Sequence, residues 1–407
     1  MHCPDLDCPF SSYNSQGEGL PVLVVDQEIY RLVPSLVIAT VDKFAQLAWQ
    51  GETRALFGGV RQVCERHGYL TGELHATVCG DARSHKAEHR GRSHPAASVR
   101  PAERLRPPDL IIQDELHLIS GPLGSLVGLY ETAVDRLATW EYPVPGREMT
   151  VNVRPKVIAS TATVRRASRQ ISSLFAGRET RVFPPPGLDA ADNFFARQRD
   201  PAVRDGRRYV GICAHGVRLR STQIRLYVAV LAAAQKLHDK YGGNEITDPY
   251  MTLVGYFNSL RDLGGVRRVV EDDVATRLGR ADERGLARRS RPLVEELTSR
   301  LGSEAIPQVL SRLQVPFPKT EDTRHPIDVL LATNMIAVGV DVSRLGVMIV
   351  NGQPKSTAEY IQATSRVGRS SPGLVFTVYG WSRPRDLSHY ARFGNYHATL
   401  YRHVEAL

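Results

Sequence analysis

Short apolar runs alternate with stretches of helical period along this chain. Residues 22–25 (Val-Leu-Val-Val) and 36–39 (Leu-Val-Ile-Ala) are the first such runs. Residues 110–112, 156–159, 209–213, 252–257, 328–332 and 346–350 repeat the pattern. A continuous apolar run of this length reads as a strand buried on both faces, as in parallel sheets. Residues 42–49, 126–139 and 222–241 read as helices, the last stopped by Gly242 and Gly243. Strands alternating with helices predict an α/β fold.

Two stretches interrupt the alternation. Residues 81–108 are rich in Arg and His, hold almost no large apolar side chain and end in Pro107 and Pro108. They are predicted to be a disordered insertion. Residues 265–320 are charged and predicted to be mostly helical, with little strand. Pro184, Pro185, Pro186 and Gly187 suit a stiff linker. The expected organisation is a first lobe over 1–183, a linker over 184–187, a second lobe over 188–385, and the start of a C-terminal extension over 386–407.

At 407 residues the chain is long enough for two cores. Its 52 Lys and Arg against 43 Asp and Glu give a net charge of +9, which favours a polyanionic partner. No basic, apolar leader is visible at the start, and no apolar run approaches the ~20 residues that span a bilayer. A cytoplasmic protein away from membranes is expected. The five cysteines are irregularly spaced and do not suggest a disulfide framework.

Two segments carry candidate chemistry. Asp114 and Glu115 follow the apolar run 110–112 and would emerge at the carboxyl end of a strand, where ligands bind in open α/β sheets. Asp114 would hold Mg²⁺ on the β- and γ-phosphates of a nucleotide, and Glu115 would position and deprotonate the attacking water. Taken alone, an Asp-Glu pair at a strand end is as readily a solvated surface feature. Gln362, Arg366 and Arg369 are spaced to share one helix face. Their guanidinium groups would neutralise charge developing on a γ-phosphate. Upstream, Thr333 lies at a strand end with Gly339 and Asp341 on the next turn, while His117 follows the acidic pair.

In this order the segments resemble a superfamily 2 helicase. Asp114, Glu115, Leu116 and His117 are similar to the DExH box, and Thr161, Ala162 and Thr163 to the triplet that couples hydrolysis to strand movement. Thr40 to Phe44 is similar to strand-binding motif Ib, and Tyr256 to Ser259 occupies the place of motif IV. Residues 332–341 resemble motif V, and 362–369 motif VI with Ser365 in place of a glycine. The wording of 110–124, 156–163, 183–187 and 193–197 is similar to the helicases of DISARM phage-defence systems.

The resemblance implies two RecA-like parallel-sheet lobes, the first incomplete, with ATP and Mg²⁺ between them. It implies His117, Gly339, Asp341 and Gln362 near the nucleotide. Thr40, Lys43, Asn258 and Thr333 would lie on nucleic acid, and Thr161 and Thr163 would couple the two sites. The implied partners are DNA with a single-stranded region and another subunit of the defence system.

One departure stands against a complete ATPase. No G-x-x-x-x-G-K-[ST] phosphate loop occurs. The expectation is that both ends of a longer protein are missing and that these residues alone hydrolyse ATP poorly. A nucleic-acid-binding or scaffolding subunit without its own ATPase, and an RNA helicase, remain open alternatives.

Cys3, Cys8, Cys64 and Cys79, with His67 and His75 nearby, are candidate Zn²⁺ ligands of loose spacing. Free thiols are the competing reading. Cys213 falls in an apolar run and is expected in the core. Arg288 and Arg289 are expected on a solvated helix face.

Overall fold

The computed structural model describes all residues except 1, 16, 18, 73–78, 80–82, 89–93, 117–125, 162–166, 176, 186–187, 190–191, 193, 196, 201, 303, 318–324, 337–340 and 405–407. The chain divides into two compact units, residues 1–161 with 166–182, and residues 183–406.

In the first unit, strands β1 (Gln62–Cys64), β2 (Gly68–Leu70), β3 (Ser84–His85) and β4 (Ala97–Pro101) form an antiparallel sheet in the order β2-β1-β4-β3. Two of these strands lie inside the segment predicted to be disordered. Backbone pairing and polar side chains hold them, with Val99 packed against Tyr30, Cys64, Leu70 and Cys79, and Ser98 N–H donates to Glu65 Oε2 at 2.9 Å. Arg66 bonds the carbonyls of Lys86 and Pro95, both at 2.8 Å, and the Glu88 carboxylate at 3.2 Å.

Strand β5 (Leu110–Gln113) pairs in parallel with β8 (Lys156–Ala159), after the hairpin β6 (Trp140–Pro143) and β7 (Thr150–Val153). Ile111 and Val157 face helices Val127–Leu137 and Ala167–Leu174 and the helix Val41–Gln46. The opposite side chains, Leu110, Ile112 and Ile158, are exposed. The strand pair is therefore half-buried, where the apolar run had suggested burial on both faces. Residues 22–25 and 36–39 are not strands, and Val24 and Ile38 are 70% and 88% exposed. A strand exists only through a ladder partner, and the described residues offer these two runs none.

The second unit is built on a six-stranded, wholly parallel sheet. Its strands are β9 (Arg207–Cys213), β10 (Leu253–Phe257), β11 (Val294–Leu297), β12 (Val329–Ala332), β13 (Val347–Asn351) and β14 (Gly373–Tyr379), in the order β11-β12-β10-β13-β14-β9. Successive residues alternate between two cores. Val254, Tyr256, Leu330, Met348 and Val350 enter one with helices Ala305–Leu313 and Thr357–Thr364. Leu253, Phe257, Leu331, Val347 and Ile349 enter the other against helix Leu219–Tyr241. Burial on both faces is what the continuous apolar runs encode.

Gly255 makes room for one close approach, since a Cβ there would lie 2.2 Å from the Tyr227 hydroxyl. Strand β11, Val-Glu-Glu-Leu, sits at the sheet edge in the segment read as helical. Its outer glutamates resemble a helix surface in sequence, but Val294 and Leu297 are buried. Arg289 is likewise not on a solvated face. It is buried and bonds Asp328. Tyr396, Leu400 and Val404 join the core of this unit, so the last residues described are part of it.

Candidate functional site

The acidic pair follows β5. The parallel register places Gln113 opposite Ala159, so the residues after each strand meet. Ser160 N–H donates to the Gln113 carbonyl at 2.9 Å, and Leu116 N–H donates to the Ser160 carbonyl at 2.9 Å. The Ser160 hydroxyl donates to Asp114 Oδ1, which also accepts from Glu115 N–H at 3.0 Å. Asp114 is thus oriented from two sides while its side chain stays exposed. Glu115 has φ +52°, a left-handed conformation that is unusual for a non-glycine residue and common at functional sites. Leu116 anchors the turn, buried with Phe175 and packed by Phe44 of the helix that begins after Thr40.

Behind the pair, Gln113 Nε2 donates to Glu131 Oε1 at 2.6 Å. Glu131 is buried, and loss of hydration pushes its carboxyl up to about 7. Thr161 is half-buried beside this turn. His117 and Thr163 lie outside the described residues.

In the second unit the helix Thr357–Thr364 starts at Ser356, whose hydroxyl accepts from Glu359 N–H at 3.1 Å. It stops before Arg366, so the three residues expected on one helix face are not on one helix. Gln362 is in the helix and buried. Arg366 is half-buried in the turn after it, and Arg369 lies in the loop to β14. Gly368 forces the change of course. Its φ is +73°, its N–H donates to the Leu345 carbonyl at 2.8 Å, and a Cβ would lie 2.6 Å from Gly373 Cα. Arg207 Nε donates to the Val367 carbonyl at 3.0 Å and fixes the same loop. Arg369 pairs with Asp341, joining the two segments expected near the nucleotide. Gly339 lies outside the described residues.

Residues expected on nucleic acid divide into two groups. Thr40 and Lys43 are exposed, with the Lys43 ammonium paired to Asp26, which raises its pKa. Thr333 is buried and its hydroxyl bonds Asn334 at 3.3 Å. Asn258 Nδ2 donates to the carbonyls of Gly352 and Gln353, both at 3.3 Å. These two lie at the carboxyl ends of β12 and β10 and are tied up internally, although Asn258 Oδ1 is buried without a hydrogen-bond partner.

The metal candidates are partly corrected. Cys64 and Cys79 converge with His67 and His85, whereas Cys3 and Cys8 are not in that group. Burial pushes the Cys79 thiol up to about 11, which argues against a reactive thiolate in the metal-free protein. Sequence reasoning also missed Ser160. Its signal was its place directly after β8, at the head of the Thr-Ala-Thr triplet.

Comparison with known proteins places these segments. Over all 407 residues the chain is 45% identical to DISARM protein DrmA of Bacillus paralicheniformis. Residues 297–371 match the helicase conserved C-terminal domain. The chain is thus similar to DrmA along its whole length and to a helicase C-terminal domain over residues 297–371. It spans about a third of DrmA, 34% of that protein's length. The matched segment runs from the end of β11 through Thr333, Asp341, Gln362, Arg366 and Arg369. Among solved structures, the DUF1998 helicase MrfA bound to DNA is similar over 73% of this chain and 32% of its own, at 16% identity and TM-score 0.46. Dbp5 of S. cerevisiae bound to RNA and ADP BeF3 is similar over 73% of this chain and 58% of its own, at 13% identity and TM-score 0.42. No helix among the described residues is long and apolar enough to cross a membrane.

Proposed function

We propose that the intact protein is an ATP-dependent DNA helicase or translocase of superfamily 2 that acts in phage defence in the cytoplasm. The observation that carries this reading is Asp114, held by Ser160 from the neighbouring strand, with Glu115 beside it in a strained turn. Asp114 fits an oxygen ligand for Mg²⁺, since its carboxylate is oriented yet exposed. Bound Mg²⁺ would neutralise charge on the β- and γ-phosphates. Glu115 would take the proton of the attacking water. Arg366 and Arg369 would stabilise the charge on the transferred phosphoryl group. Arg369 would exchange its Asp341 partner for phosphate, so Asp341 holds it ready in the absence of nucleotide.

Thr40 and Lys43 are the better candidates for nucleic-acid backbone contacts. Thr333 and Asn258 would contribute only if their internal hydrogen bonds open. Such contacts are independent of base sequence, and binding should weaken with salt. The identity to DrmA supports a place beside other subunits of a defence system.

The test is ATP turnover by the intact protein with DNA or RNA as stimulator. Glu115→Gln should spare DNA binding and abolish turnover. Turnover that survives this change removes Glu115 as the base. Stimulation by RNA and not DNA moves the substrate to RNA.

A further inference from the structure

We propose that Cys64, His67, Cys79 and His85 form a closed structural zinc site that staples the strands and connections of the antiparallel sheet to one another. Cys64 ends β1, His67 lies in the turn into β2, and His85 ends β3. Their ligand atoms and that of Cys79 all lie within 4.8 Å of one another. His67 Nδ1 is 3.5 Å from Cys64 Sγ and 3.2 Å from Cys79 Sγ. Around tetrahedral zinc, with bonds of ~2.3 Å to sulfur and ~2.0–2.1 Å to nitrogen, neighbouring ligand atoms lie about 3.3–3.8 Å apart. Two of the separations are already close to that range, and the others need to shrink by at most about 1.5 Å.

Two further observations point to a metal. A single imidazole nitrogen lies against both sulfurs, and one hydrogen bond cannot serve both. A shared cation satisfies all three atoms. The Nε2 of His85 is buried with no hydrogen-bond partner, while its ring meets that of His67 edge-on at 4.8 Å. Two thiolates and two neutral imidazoles cancel the charge of Zn²⁺, which suits a partly buried site. Four protein ligands leave no open position for water, so the role is structural and not hydrolytic.

The sheet also needs such a tie. Its hydrophobic cluster holds Tyr30, Cys64, Leu70 and Cys79 as the buried members, so half of that small core is the cysteine pair itself. A core of this size does not hold a small sheet unaided, and zinc binding supplies folding free energy directly.

The experiment is metal analysis of the intact chain, purified without chelator or polyhistidine tag. About one equivalent of zinc is expected, retained in the Cys3→Ser/Cys8→Ser variant and lost in Cys64→Ser/Cys79→Ser. Cobalt substitution of the unaltered chain should give the visible bands of a tetrahedral ion with thiolate charge transfer. This readout stands even if the Cys64/Cys79 variant is insoluble. Zinc far below one equivalent, zinc retained without Cys64 and Cys79, a six-coordinate cobalt spectrum, or a Cys64–Cys79 disulfide in the purified chain would each overturn the proposal.

Discussion

Glu115 occupies a backbone conformation that costs free energy and that asparagine tolerates better. Glu115→Asn should therefore raise the thermal midpoint of the first unit slightly, a gain of up to about 1 kcal/mol, while eliminating turnover. Calorimetry checks the first effect, and an unchanged or lower midpoint removes the claim of strain. Ser160→Ala should leave DNA binding intact and slow ATP turnover by on the order of 100-fold, because Asp114 loses its orientation.

Glu131 gives a pH signature. Its carboxyl is raised from 4.5 to about 7, so the folded state holds the proton more tightly than the unfolded state. Stability should fall as pH rises between these values, and the full penalty is present above about 7. Glu131→Gln keeps an acceptor for Gln113 and should stabilise the protein at pH 8, by at most about 3 kcal/mol, but not at pH 4. Denaturant midpoints at the two pH values decide this.

The acidic pair was legible because carboxylates following an apolar run mark a strand end. Ser160 was not, because a register between strands 46 residues apart decides whom it meets. The buried hydroxyl of Thr333 and the internal bonds of Asn258 were hidden for the same reason.

At the scale of elements, continuous apolar runs revealed four of the six strands of the large sheet, β9, β10, β12 and β13, while β14 was not among the predicted strands although it carries a comparable run. Strand β11 escaped because an edge strand with outward glutamates lacks such a run. The runs at 22–25 and 36–39 failed in the opposite sense, since hydrophobicity without a pairing partner makes no strand. The arginine spacing suggested one helix face, but Gly368 ends that geometry through a left-handed turn pressed against Gly373. Gly368→Ala should lower the stability of the second unit by about 1–3 kcal/mol, seen as a lower thermal midpoint. A neutral result would mean that the loop moves freely and does not position Arg366 and Arg369.

At the scale of the whole molecule, a basic chain with sequence-independent contacts should bind nucleic acid less tightly as salt rises. Lys43→Ala should reduce the slope of log affinity against log salt for a single strand by about 0.7, the share of one phosphate contact. An unchanged slope would leave Lys43 serving only its ion pair with Asp26. The acidic pair lies in one compact unit and Arg366 and Arg369 in the other. The central claim is that these groups serve one phosphate. Nucleic-acid-stimulated ATP hydrolysis by the intact protein tests it, compared among the unaltered protein, Glu115→Gln, Arg366→Ala and the double variant. Each single change should lower turnover by on the order of 1000-fold with DNA binding retained, and the double variant should be no slower than the worse single one. Turnover surviving either change, or losses that multiply in the double variant, would contradict the account.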